Sequence, residues 1–153
     1  MDSCDKRAFL QRYKDEAARD NYIKLCGIDV VEMTETGAVA ELSMDSKVMN
    51  INGDVHGGAL FSLADVAANW AAYVWGKRNL GEHFSCTTVS SSFNYLRAVN
   101  CGEKVIGRST LRKTGKTFSV VDVSLQDENG TEVCCGSFTI YYLDLDRYQK
   151  NNK

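Results

Sequence analysis

Between Asn50 and Trp75 a polar, turn-prone loop meets two glycines and then a long apolar stretch that holds a lone carboxylate. From Gly57 onward, Leu60, Leu63, Ala64, Ala67, Ala71 and Val74 follow the i, i+3, i+4 spacing of one helix face, and alanine, the strongest helix former, fills five positions from Ala64 to Ala72. A helix with so few charges is buried over most of its circumference, so the rest of the chain must enclose it. Asp65 is then the unusual residue. Ser62, Asp65 and Asn69 lie three and four apart and form a narrow polar stripe opposite the Leu60/Ala64/Ala67/Ala71 face, and that stripe needs a polar destination. Gly76 is the expected end of the helix.

The enclosing material is sheet. After a polar loop at Lys77–Glu82, the segments Cys86–Leu96, Glu103–Lys113, Thr117–Gln126 and Thr131–Leu143 are rich in Val, Thr, Phe and Tyr, separated by turns at Asn100/Gly102, Thr114–Lys116 and Asp127–Gly130. Upstream, Ile28–Glu32 and Ala38–Met44 read as a hairpin across Thr36-Gly37, with Val39 and Leu42 as core residues. Short connections favour antiparallel neighbours, so the pattern predicts an α+β fold in which a curved antiparallel β-sheet wraps around one long central α-helix. Residues 1–25 supply an amphipathic cover helix over 5–21, with Phe9, Tyr13 and Ala17 on its apolar stripe, and residues 144–153 form a polar tail. At 153 residues, the chain 1–153 fits one domain. In the strand that begins at Cys86, Thr88, Ser90, Ser92 and Asn94 alternate with Val89, Phe93 and Tyr95, so a polar strip is expected to face the site around Asp65.

Gly57 and Gly58 leave backbone N–H groups bare where the helix begins, because first-turn donors lack intrahelical partners. With no Cβ in the way and the helix dipole adding positive charge, these donors can receive an oxygen that carries negative charge. Taken alone, His-Gly-Gly before a helix is equally well a tight turn, and a buried Asp equally well caps a neighbouring loop. If Gly57 polarises a substrate and Asp65 attacks it, one carbonyl cannot touch both, since eight residues at roughly 1.5 Å each separate them by about 12 Å. The two groups would come from different copies, which predicts a homodimer. Asn50 offers an amide that both donates and accepts, and beside Asn52-Gly53-Asp54 it serves as readily to stabilise the turn.

Together, Asn50, His56-Gly57-Gly58 and Ala64-Asp65 are similar to the motif of the hotdog-fold acyl-CoA thioesterases of the phenylacetate-degradation (PaaI-like) type, approximately N-x5-HGG followed by AD. Element order and length resemble that family from Cys26 to Tyr142. The resemblance implies a hotdog fold and hydrolysis of aryl- or short- to medium-chain acyl-CoA to the free acid and CoA. It further implies that the Gly57 N–H polarises the thioester carbonyl, that Asp65 of the partner protomer is base or nucleophile, and that His56 and Asn50 orient the loop and the leaving sulfur or water. Gly58 belongs to the same substrate-binding turn. Thr88 aligns with a family Ser or Thr near the carboxylate, although Ala98 stands where the family commonly has proline. Arg112, Lys113 and Lys116 are candidates for the coenzyme's phosphates, or simply line a solvated turn. No cofactor is implied beyond the CoA of the substrate, and the dimer is expected to pair into a homotetramer.

Composition narrows the alternatives. Eighteen Lys and Arg against twenty Asp and Glu leave a net charge of −2, which suggests neither a nucleic-acid footprint nor a polybasic membrane patch. The six cysteines (Cys4, Cys26, Cys86, Cys101, Cys134, Cys135) are scattered, with no CxxC pair and two histidines, so no metal site is expected and free thiols in a reducing cytoplasm are. The charged amino terminus lacks an apolar core, and no run reaches the ~20 apolar residues of a membrane span. A non-catalytic acyl-CoA-binding or sensing module would keep Gly57 without needing Asp65. A hydratase would use a His with an acid. A carboxylate on an otherwise apolar helix favours hydrolysis over both. Phe61, Trp70, Tyr73 and Trp75 shape an acyl pocket, or else serve the core or an interface.

Overall fold

Small side chains let a sheet come close to a helix backbone, and the computed structural model, which describes residues 3–146 and Tyr148, shows this at the centre of the molecule. Helices α1 (Ser3–Ala17) and α2 (Asn21–Cys26) lead into strands β1 (Ile28–Met33) and β2 (Ala38–Ser43). A 3-10 turn at Ser46–Val48 precedes the long helix α3 (Gly57–Asn79), and β3 (Phe84–Tyr95), β4 (Lys104–Lys113), β5 (Phe118–Gln126) and β6 (Glu132–Asp144) follow. The strands form one antiparallel sheet in the order β1-β2-β4-β5-β6-β3, wrapped on α3 as the hotdog arrangement requires.

The core lies between the two layers. Leu60, Leu63, Ala64, Ala67, Ala68, Ala71 and Ala72 of α3 are buried, and so are Leu42, Val105, Val121, Leu125, Phe138 and Ile140 of the sheet. Each large side chain fully withdrawn from water there stabilises the fold by about 1.5–3 kcal/mol. Because the helix face is mostly alanine, sheet side chains also reach its backbone. The Ser109 hydroxyl lies 2.8 Å from the Ala67 carbonyl oxygen, and the Tyr142 hydroxyl donates to that of Ala72 at 3.0 Å.

Three expectations change. Gly76 does not end α3, which runs on to Asn79; a Cβ at Gly76 would sit 2.5 Å from Phe84 Cζ, so the glycine answers to packing and not to termination. The cover helix is broken. The Asp20 carboxylate caps a separate α2 by accepting the N–H groups of Tyr22 and Ile23 at 2.8 and 3.2 Å, and Gly27, at φ 71°, closes it. α1 packs on β1 through the fully buried Tyr13 and Ala17, and α2 packs on β1 as well. Of the polar tail, residues 147 and 149–153 lie outside the described residues, as does the Cys4 side chain.

The third change concerns β3. Thr88 pairs with Ile140 and Ser90 with Thr139, so Val89 is an extra residue in a bulge and the alternation of faces reverses beyond it. Thr88 faces α3, and after the bulge it is Phe93 and Tyr95 that face inward, touching Phe61 and Gly57. Ser92 and Asn94 line a cleft on the opposite face with Arg108, Thr110 and Asp122. The expected polar strip is therefore split, and only its first part reaches the helix.

Candidate active site

Asp65 lies in a cleft of about 550 Å³ between α3, α2 and the start of β3. The polar stripe of α3 finds its destination here. Thr88 Oγ1 is 2.5 Å from Asp65 Oδ1, and Asn69 Nδ2 donates both to Thr88 Oγ1 at 2.8 Å and to the Asp65 backbone carbonyl at 3.0 Å. A threonine hydroxyl has one proton. Since Thr88 Oγ1 accepts from Asn69, that proton points at Asp65, and the chain Asn69 to Thr88 to Asp65 holds the carboxylate in one orientation. Oδ2 has no hydrogen-bond partner among the described residues, and Asp65 lines the cleft. Cys86 sits 3.9 Å from Asn69 Oδ1, and burial, helped by the Asp65 charge, pushes its thiol up to about 12, so it remains protonated and is no nucleophile near neutral pH.

At the start of the same helix, His56 and the backbone settle the first-turn groups. His56 caps α3: its Nδ1 accepts the Gly58 N–H at 2.9 Å, and its carbonyl accepts those of Ala59 and Leu60 at 2.9 and 3.2 Å. Among the described residues the Gly57 N–H alone of these first-turn donors has no acceptor. Tyr95 closes over this turn, its hydroxyl donating to the Gly57 carbonyl at 3.1 Å while its ring lies 3.3 Å from where a Cβ of Gly57 would be. A side chain at this position would press on the exposed Tyr95 ring, which would have to give by a few tenths of an ångström. Asn50 organises the preceding loop, with Oδ1 accepting the N–H groups of Asn52 and Asp54 at 2.8 and 3.2 Å.

This pairing of a bare helix-start donor with a fixed carboxylate lies within residues 52–134, more than half of the chain, which match the family model described as Thioesterase superfamily. The chain belongs to the thioesterase superfamily. It is a thioesterase, a hydrolase. Among its relatives, acyl-coenzyme A thioesterase PaaI of Escherichia coli is 30% identical over 109 residues, covering 71% of this chain and 73% of that protein. Thioesterase HI1161 of Haemophilus influenzae superposes with a TM-score of 0.78 at 23% identity, over 89% of this chain and 91% of that one, a likeness of fold. A hypothetical thioesterase protein from Streptococcus pneumoniae, solved with coenzyme A, gives a TM-score of 0.67 at 25% identity, over 76% and 86% of the two chains.

Within one thioesterase chain the remaining candidates are not gathered. Arg112 is exposed and pairs with Asp122 at 3.7 Å, Lys113 lies opposite Val120 just after a bulge in its own strand, and Lys116 borders surface clefts with Tyr142 and Asp144. None of the three lines the Asp65 cleft. Phe61 and Trp70 do, while Tyr73 donates to Glu16 at 2.9 Å and Trp75 stacks on Tyr142. Two features escaped sequence reasoning: the anchoring role of Asn69, and the presence of α2 in the cleft wall. For α2 a signal existed, since Asp20 and Gly27 bracket it as cap residues. Among the described residues no group of three His, Cys, Asp or Glu is placed to hold a metal ion, and no helix is long and apolar enough to cross a membrane.

Proposed function

We propose that the protein hydrolyses acyl-CoA thioesters at sites shared between two copies, the Gly57 N–H of one polarising the thioester carbonyl and Asp65 of the other acting as base or nucleophile. The observation that carries this reading is the separation of a free Gly57 N–H from an Asp65 carboxylate anchored by Thr88, about 12 Å along one helix. The relatives support the substrate class, one named as an acyl-coenzyme A thioesterase and another solved with coenzyme A. β3 supports the pairing: it is a twelve-residue sheet edge with Val89, Tyr95 and the adjoining Leu96 half exposed, and such an edge invites a second copy. Pairing of dimers then gives a tetramer, in which Arg112, Lys113 and Lys116 of neighbouring copies can meet the coenzyme's phosphates.

With Asp65 as base, water loses a proton to Oδ2 as it adds to the carbonyl carbon, and the Gly57 N–H stabilises the oxygen's new charge. The C–S bond then breaks, the carboxylic acid is released, and the proton on Asp65 passes to the departing thiolate. With Asp65 as nucleophile, Oδ2 itself adds, the thiolate leaves, and water opens the resulting anhydride. A thioester suits so spare a site because sulfur conjugates weakly with the carbonyl and a thiolate leaves readily. Gly58 and His56 shape the turn that presents Gly57, and Asn50 holds its loop. Replacing Asp65 with Asn keeps shape and removes the charge, so kcat falls by at least ~10²-fold with substrate affinity near parental. A folded Asp65→Asn variant that turns over acyl-CoA at the parental rate sinks this mechanism. Binding of acyl-CoA by both proteins with turnover by neither points instead to a sensing module.

A further inference from the structure

Two clefts run along the exposed stripe of α3 and share two side chains. The Asp65 cleft is walled by Tyr22, Ile23, Phe61, Val66 and Trp70, and an adjoining cleft of about 420 Å³ carries Leu25, Val48, His56 and Gly58; Tyr22 and Ser62 belong to both. Tyr22 is 54% exposed, yet its ring is tethered. Its hydroxyl lies 2.7 Å from Ser62 Oγ, and the Ser62 hydroxyl donates to the Gly58 carbonyl at 2.9 Å. With the one serine proton committed to Gly58, Tyr22 is the donor in the first contact. The backbone beneath the ring is fixed as well, by the Asp20 cap and by Ile23, which is 4% exposed. A residue outside the helix-and-sheet core is thus held in place across the catalytic stripe.

The lining of the Asp65 cleft says which part of a thioester belongs there. Its charged residues are Asp20 and Asp65, with no Lys or Arg among them, so it repels phosphates, while Ile23, Phe61, Val66 and Trp70 offer apolar walls. This is a place for the acyl group, and Tyr22 stands at its end. We infer that Tyr22, tethered through Ser62, sets the length of acyl group the enzyme accepts by closing the Asp65 cleft against the cleft beside His56. The inference rests on the acyl-CoA reading above and adds the residue that selects among substrates. Short and aryl acyl groups end at the ring. Longer chains meet it and are rejected, and removing it lengthens the Asp65 cleft.

The test compares kcat/KM for a series of straight-chain acyl-CoAs in the parent, Tyr22→Ala and Tyr22→Phe, together with calorimetric affinities for non-hydrolysable thioether analogues of the same lengths. A methylene newly admitted to an apolar pocket is worth about tenfold, so Tyr22→Ala raises the ratio of long-chain to short-chain kcat/KM by at least ~10-fold. Tyr22→Phe keeps the bulk but loses the tether, and falls between. The inference is overturned if Tyr22→Ala keeps the parental ratio or, where that variant does not fold, if Tyr22→Phe does. Turnover by the parent at any length upholds the acyl-CoA reading whatever the variants do. If the parent turns over none, the thioether affinities supply the same ratio, and absence of both turnover and binding overturns inference and reading together.

Discussion

The start of α3 at Gly57 and the carboxylate at Asp65 are held in place by different means. At Gly57 the N–H groups are settled locally, with only the Tyr95 ring arriving from a distant strand: His56 caps the turn two residues away, its carbonyl takes the next donors, and one N–H is left over. At Asp65 almost everything comes from elsewhere, since Thr88 arrives on a strand twenty-three residues downstream and Tyr22 on a helix before the sheet begins. A backbone donor at a helix start needs only a turn that exposes it, whereas a carboxylate needs partners to fix its orientation and a wall to shape what it meets. The local end should therefore tolerate changes that keep its turn, and the Asp65 end should respond to changes in distant elements.

The largest effect separates the donor from the turn. Gly57 is the first residue of α3, where proline is well tolerated, and His56 already has the extended conformation that a following proline requires, φ −62° and ψ 134°. Gly57→Pro therefore deletes the N–H and keeps the helix, with the exposed Tyr95 ring able to give way. Removing such a donor costs about 10²- to 10³-fold in kcat, measured beside a melting temperature near parental. At the Asp65 end, Thr88→Val removes the donor to the carboxylate, and a hydrogen bond to a charged group is worth about 1.5–3 kcal/mol, so kcat/KM falls by roughly 10-fold or more. Thr88→Ser restores it, and equal rates for Val and Ser would show that Thr88 only packs. The smallest effect is on stability. His56→Ala loses a helix cap, and denaturant unfolding should read a loss of ~1 kcal/mol.

The same contrast explains what could be read in the sequence. The Ala-rich apolar face of α3, the bare Gly57 donor and the succession of elements follow from patterns within a few residues, and the structure has them. The sheet order does not follow from them: short connections favour β3 beside β4, yet β3 pairs with β6 at the sheet edge and β4 lies between β2 and β5. Three more things were hidden for physical reasons. The bulge at Val89 leaves no mark in a run of Thr and Ser, yet it turns Ser92 and Asn94 to the opposite face. Gly76 looks like a stop, but a glycine that admits Phe84 is identical in sequence to one that ends a helix. Asn69 was visible as part of a polar stripe, while its partner was visible only once β3 had been placed beside α3. Arg112, Lys113 and Lys116 share a turn, and nothing local says what that turn faces.

The central claim is that one active site takes Gly57 from one copy and Asp65 from another, and mixing two inactive proteins tests it most directly. Gly57→Pro and Asp65→Asn are each prepared, unfolded together and refolded as an equimolar mixture, and native mass spectrometry establishes that hybrid dimers have formed. A hybrid holds one site with both groups intact and one with neither, so random pairing of equal amounts restores about a quarter of the parental acyl-CoA hydrolysis. The account predicts that recovery from two proteins that are each nearly inactive. Hybrid dimers no more active than the separate variants would contradict it, because they would place Gly57 and Asp65 in service of the same site within one chain.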